Sequence, residues 1–150
     1  AAITINAVMA FGEEAGWRGW LQNALEPLGR LRQVLLTGAI WGLWHAPLIA
    51  AGYNYGDSLP GFAAVLLFTI FCVAFGALLS WLSLRARSVL PAVCGHGFFN
   101  AIAAAPALLA ATGDTWNPAL AAPVGLPGIL IFSVLAAVLL ILKPHHKASN

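Results

Sequence analysis

Four apolar runs dominate this chain, at about residues 33–51, 60–84, 88–111 and 119–142. Each is long enough to cross ~30 Å of hydrocarbon, which takes roughly 20 apolar residues in a helix. A further stretch, about 1–28, is helical by pattern but amphipathic, and its depth is open: it either spans or lies partly in the interface. The expected fold is therefore all-α, a polytopic transmembrane bundle of about five helices. Composition agrees: 61% of residues are hydrophobic and 8% charged, against about 25% charged in a soluble domain. A chain of this kind cannot clothe itself in polar groups, so a water-soluble globule is excluded.

The same numbers narrow the partners. Net charge is +2 with no basic cluster, so nucleic acid is not expected; the lipid bilayer is. Cys72 and Cys94 lie in different apolar runs and read as buried thiols, not as a disulfide or metal pair. Residues 1–11 lack the basic lead of a signal peptide. The chain reads as one membrane-embedded domain over 1–150, with further helices expected upstream. Oligomeric state leaves no mark in the sequence.

Loop charges give an orientation. Arg30, Arg32, Arg85, Arg87, Lys143 and Lys147 all fall on one side of the expected spans. The intervening loops carry Asp57 and Asp114, with Tyr53, Tyr55 and Trp116 as candidate interfacial aromatics. The positive-inside rule makes the basic loops and the C-terminus cytoplasmic. His145 and His146 belong to the solvated tail.

Polar side chains within the apolar runs are few, and each is costly: an ionisable group in mid-membrane costs ~2.5–3.5 kcal/mol on insertion scales. Outside loops and tail the charged or imidazole ones are Glu13, Glu14 and Arg18 on the first helix, His45 on the second and His96 on the fourth, where the amide Asn100 joins it. Three pairs have i,i+4 spacing and so share a helix face: Glu14 with Arg18, Trp41 with His45, His96 with Asn100. Glu13 points about 100° away from Glu14. One division has Glu14 paired with Arg18 while Glu13 faces His45 and His96. Gly12, Gly16, Gly19, Gly38, Gly42, Gly95 and Gly97 permit close helix approach. Pro47 and Pro91 are expected to loosen the backbone near the histidines. Taken singly, an ion pair, a histidine among tryptophans or a GHGFFN seam has a packing explanation. Three polar pairs on three helices are harder to explain by packing.

Glu13-Glu14-x-x-x-Arg18, an aromatic-x-x-x-His ending at His45, and His96-x-x-x-Asn100, in this order on successive apolar segments, resemble the motif set of the CPBP family. That family comprises CAAX prenyl endopeptidases of the Ras-converting type and the bacteriocin-processing or immunity (Abi) proteins. Trp41 stands where the family usually has phenylalanine. The resemblance implies an intramembrane endopeptidase acting on a peptide or protein substrate, lipidated in the CAAX case. It implies a catalytic set of Glu13, Glu14, His45, His96 and Asn100, with Arg18 as a structural ion-pair partner. Glu13 and His45 would activate a water, and His96 and Asn100 would stabilise the oxyanion.

Glu13, His45 and His96 also resemble a three-ligand zinc set. The asparagine after His96 and the lack of H-E-x-x-H favour a mechanism without a cofactor. Non-catalytic immunity or scaffold proteins and proton-coupled transporters are the competing classes. At 1.5 Å per residue His45 lies about 18 Å, and His96 about 12 Å, from the basic side. Hydrolysis at that depth requires a water-filled cavity, expected to open to the cytoplasm.

Overall fold

The structure, a computed structural model, describes residues 4–103, 105–109 and 116–141. Asp114, Lys143, His145, His146 and Lys147 lie outside the described residues. The first helix begins as α1 (Ile5–Glu14), widens into a π-helical stretch (Ala15–Leu21) and ends as α2 (Gln22–Ala24). After a 3-10 turn come α3 (Arg30–Trp44) and α4 (Ala46–Ala50), then α5 (Gly61–Ala86), α6 (Leu90–Ile102), α7 (Ala105–Leu109), α8 (Pro118–Ala121) and α9 (Leu126–Ile141). No strand occurs among the described residues. The fold is all-helical.

Two stretches are long and apolar enough to cross a membrane by themselves: Gly61–Ala86, of mean hydropathy 2.7, and Pro118–Leu139, of mean hydropathy 2.2. The expected span 119–142 is divided into α8 and α9 by a turn at residues 122–125, and two other expected spans are interrupted. The run 33–51 breaks at His45, because Pro47 has no N–H to give the carbonyl of Leu43. The run 88–111 breaks near Ala103, where Pro106 likewise cannot bond Ile102. Pro91, expected to loosen the helix before His96, sits in the first turn of α6. There a missing N–H removes no helical bond.

α5 is the element on which the others assemble. Phe68, Phe71, Cys72, Phe75 and Leu79 recur at helical spacing along it and are all buried. On one side α3 approaches at backbone distance. A Cβ on Gly38 would stand 2.6 Å from Val73 Cα, and one on Gly42 2.6 Å from Thr69 Cα. Only hydrogen fits at either position, so the glycine pair sets how deeply α3 seats. On the other side α6 and α9 close over α5 with aromatic rings. The Phe75 ring lies 4.7 Å from Phe99 and 4.8 Å from Phe132. α1 packs against α6.

Two local expectations change. Tyr55 is a buried tie, not an interfacial aromatic: its hydroxyl donates to the carbonyl of Val124 at 2.7 Å, joining the α4–α5 loop to the turn before α9. Tyr53 is exposed. Cys72 is buried as expected, whereas Cys94 is exposed on the outer face of α6, because Val93 and His96 take the inward positions.

Candidate active site

The first helix turns an unusual stripe inward. Ala10, Glu14, Arg18 and Gln22 are its most buried residues, and three of the four are polar. In an α-helix such a stripe drifts about 40° every four residues. The π-helical stretch after Glu14 has more than four residues per turn and so reverses that drift. The backbone irregularity keeps Arg18 and Gln22 on the face that Glu14 occupies.

At the centre of this stripe Glu14 Oε1 accepts two hydrogen bonds. Arg18 Nη1 donates at 2.9 Å and His96 Nδ1 at 2.8 Å. Both carboxylate and guanidinium are buried, so each makes the other's charge tolerable in a low-dielectric interior. The guanidinium stacks over the Trp41 ring, with Cζ 4.6 Å from the ring centroid. It also depends on Gly76 of α5, where a Cβ would come within 2.8 Å of Nη2. Glu14 Oε2, Arg18 Nε and Arg18 Nη2 have no hydrogen-bond partner among the described residues.

Trp41 links the remaining groups. Its indole Nε1 donates to Glu13 Oε2 at 2.8 Å, and its carbonyl oxygen lies 2.9 Å from His45 Nδ1. A carbonyl can only accept, so His45 carries a proton on Nδ1, and Nε2 is the nitrogen free for chemistry. The same reasoning applies to His96: Nδ1 is committed to the carboxylate and Nε2 is free. The His96 ring meets Trp41 edge-on at 5.2 Å. The tryptophan thus holds Glu13 with its side chain and His45 with its backbone.

Most, not all, of the residues singled out in the sequence are brought together. Glu14 pairs with Arg18 as their spacing implied. His96, however, bonds Glu14 and not Glu13, because the inward face of α1 meets α6 while Glu13, one residue further round, faces α3. Glu13 is half-buried on Trp41 and bonds neither histidine. Asn100 is exposed, one turn beyond the buried His96. Among the described residues no three His, Cys, Asp or Glu side chains group closely enough to hold a metal ion. A cavity of about 460 Å³ opens beside the first helix and the α5–α6 turn. It is walled in part by Arg18 but by none of Glu13, His45, His96 or Asn100.

Sequence reasoning treated Trp41 as an aromatic wall and missed its N–H. The available signal was the departure from phenylalanine at that position, since only the indole adds a donor. Trp41→Phe therefore keeps a ring beneath Arg18 and removes one hydrogen bond to a carboxylate. Such bonds contribute about 1.5–3 kcal/mol, so stability should fall by about that amount. Chemical denaturation of Trp41→Phe checks this: an unchanged midpoint would make the bond incidental.

Residues 1–102 match the family model described as Type II CAAX prenyl endopeptidase Rce1-like. No curated protein and no solved structure matches the chain.

Proposed function

The chain belongs to the Type II CAAX prenyl endopeptidase Rce1-like family, and from that membership we propose that it cleaves a lipidated peptide with a water activated by Glu13 and His45. A helical integral membrane peptidase is what the family and the two long apolar helices support together. The observation that supports the finer reading is the double tie through Trp41, whose indole donates to a carboxylate of α1 and whose carbonyl meets the imidazole at the end of α3.

The chemistry follows from which atoms are free. Glu13 Oε2 is occupied by the indole, so Oε1 is the oxygen that takes the proton of a water. His45 Nε2 holds the same water through its lone pair. The hydroxide adds to the substrate carbonyl carbon. The developing oxyanion is then stabilised by the Nε2 edge of His96 and by the Asn100 amide. Glu14 Oε1 fixes the orientation of the His96 ring through Nδ1. As the C–N bond breaks, the proton taken by Glu13 passes to the leaving amine. Asn100 is exposed and its amide makes no hydrogen bond among the described residues, which suits this role. No step is assigned to a metal.

Residues 1–150 are treated as one peptidase domain, a reading supported by the packing of α9, beyond the family match, on α5 within it. The chain is proposed to cross the membrane several times, with Arg30, Arg32, Arg85 and Arg87 on the cytoplasmic side. Membrane-impermeant labelling of single cysteines at Tyr53 and Arg85 should report opposite faces. Labelling from one face only would sink that topology. The proteolytic reading is tested by incubating the purified protein with a farnesylated peptide bearing a CAAX end. One internal cut is expected by mass spectrometry, and an intact peptide beside folded protein counts against the proposal.

A further inference from the structure

The cavity beside the α5–α6 turn is not part of the catalytic cluster, although Arg18 belongs to both. Its wall carries Arg18, Gln22, Asn23, Ser83, Arg87 and Ser88 and, among the described residues, no acidic side chain. Arginine, amide and hydroxyl groups of this kind make a lining that favours a small anion.

Arg87 sits there at a conformational cost. α5 ends with Ser88 N donating to Ser83 O at 3.1 Å and Arg87 N to Leu84 O at 3.4 Å. That bond pair is the Schellman ending, which places one residue in the left-handed region and is usually completed by glycine. Here the residue is Arg87, at φ 53°. A Cβ is unfavourable in that conformation, so the backbone gains nothing from arginine. The side chain is the reason to keep it, and the side chain borders the cavity.

Gln22 supplies a second, independent observation. It is 1% exposed, it lines the cavity, and its Oε1 has no hydrogen-bond partner among the described residues. An acceptor left this way beside cationic donors asks for a ligand that brings an N–H together with a negative charge. A phosphodiester group brings only the charge. The last residue of a peptide chain brings both, its amide N–H one residue from its carboxylate. The Asn23 amide already donates to Gly19 O at 2.6 Å, and Ser88 Oγ accepts from Leu90 N at 3.2 Å. Asn23 and Ser88 are thereby positioned, and the Ser88 hydroxyl hydrogen and the Arg87 fork remain to donate.

We propose that this cavity is a binding subsite for the free C-terminal carboxylate of a peptide, held by Arg87 and Ser88 with the terminal amide N–H on Gln22 Oε1. At about 460 Å³ it is the size of a small-molecule pocket and takes more than a lone ion. The inference rests on the peptidase reading for its choice of ligand, and Arg18 sets the subsite directly beside the Glu14–His96 pair.

The test uses the full chain in nanodiscs and two farnesylated CAAX peptides that differ only in ending as acid or amide. Equilibrium binding by fluorescence anisotropy should favour the acid by about tenfold, the scale of one charge-assisted hydrogen bond. Arg87→Gly should abolish that preference, leave amide binding as it was, and hold or raise the thermal midpoint by relieving the left-handed strain. Arg85→Ala, at an arginine exposed like Arg87 but not lining the cavity, should alter none of these. Equal binding of acid and amide by the unaltered protein would overturn the subsite. So would a lower thermal midpoint in Arg87→Gly, which would make Arg87 a structural cap. Nanodiscs with and without phosphatidylglycerol give the remaining arm: binding of that lipid, lost in Arg87→Gly without any acid preference, makes this a headgroup site and also overturns the proposal. If neither peptide is cut, the peptidase reading fails, while the acid-to-amide binding ratio still decides the subsite.

Discussion

Arg18→Met is expected to lower the stability of the bundle by about 3–5 kcal/mol, the usual cost of removing one partner from a buried ion pair. The reason is what it leaves behind. Glu14 is fully buried and its Oε1 is shared between Arg18 and His96. Without the guanidinium, a carboxylate remains in the interior with one imidazole to hold it. Methionine roughly fills the space over the Trp41 ring and beside Gly76, so packing changes less than charge does. Replacing both partners, Glu14→Leu with Arg18→Met, removes the stranded charge and should recover most of the loss, since apolar substitutes for a buried pair are often close to neutral. Chemical denaturation of the purified variants measures both effects. If Arg18→Met alone is as stable as the unaltered protein, the Glu14 pair does not hold the first helix in place.

This pairing was legible in the sequence because it is local: four residues on one helix fix which side chains can meet. The partner of Glu14 on α6 was not, because His96 lies 82 residues away and its contact depends on which face of α1 turns toward α6. The Trp41–Glu13 bond was hidden for the same reason, with 28 residues between donor and acceptor. The long helices were read from apolar length alone, and α5 and the α8–α9 stretch follow the expected limits closely. The break at His45 was half visible in Pro47. The π-helical stretch left no trace, since GWRGW has neither the period nor the proline that would mark it. Tyr55 and Cys94 were misplaced because loop packing and the choice of inward face are decided by neighbours, not by spacing.

Glu13→Gln bears most directly on whether this cluster is catalytic. Glutamine keeps the length and shape of the side chain, and its carbonyl can still accept from the Trp41 indole, so fold and thermal midpoint should be unchanged. It cannot take a proton from water. General-base assistance contributes about 10²–10⁴ in rate, and a loss of that size is expected in kcat, with little change in the amount of peptide bound. The measurement is cleavage of a farnesylated CAAX peptide by the purified protein and by Glu13→Gln, followed by mass spectrometry under single-turnover conditions. A defined cut by the first and about a 10²-fold or greater loss in a folded Glu13→Gln protein is the expected result. Cleavage by Glu13→Gln at the rate of the unaltered protein would mean that Glu13 only anchors Trp41, and that the polar cluster holds the helices together without activating water.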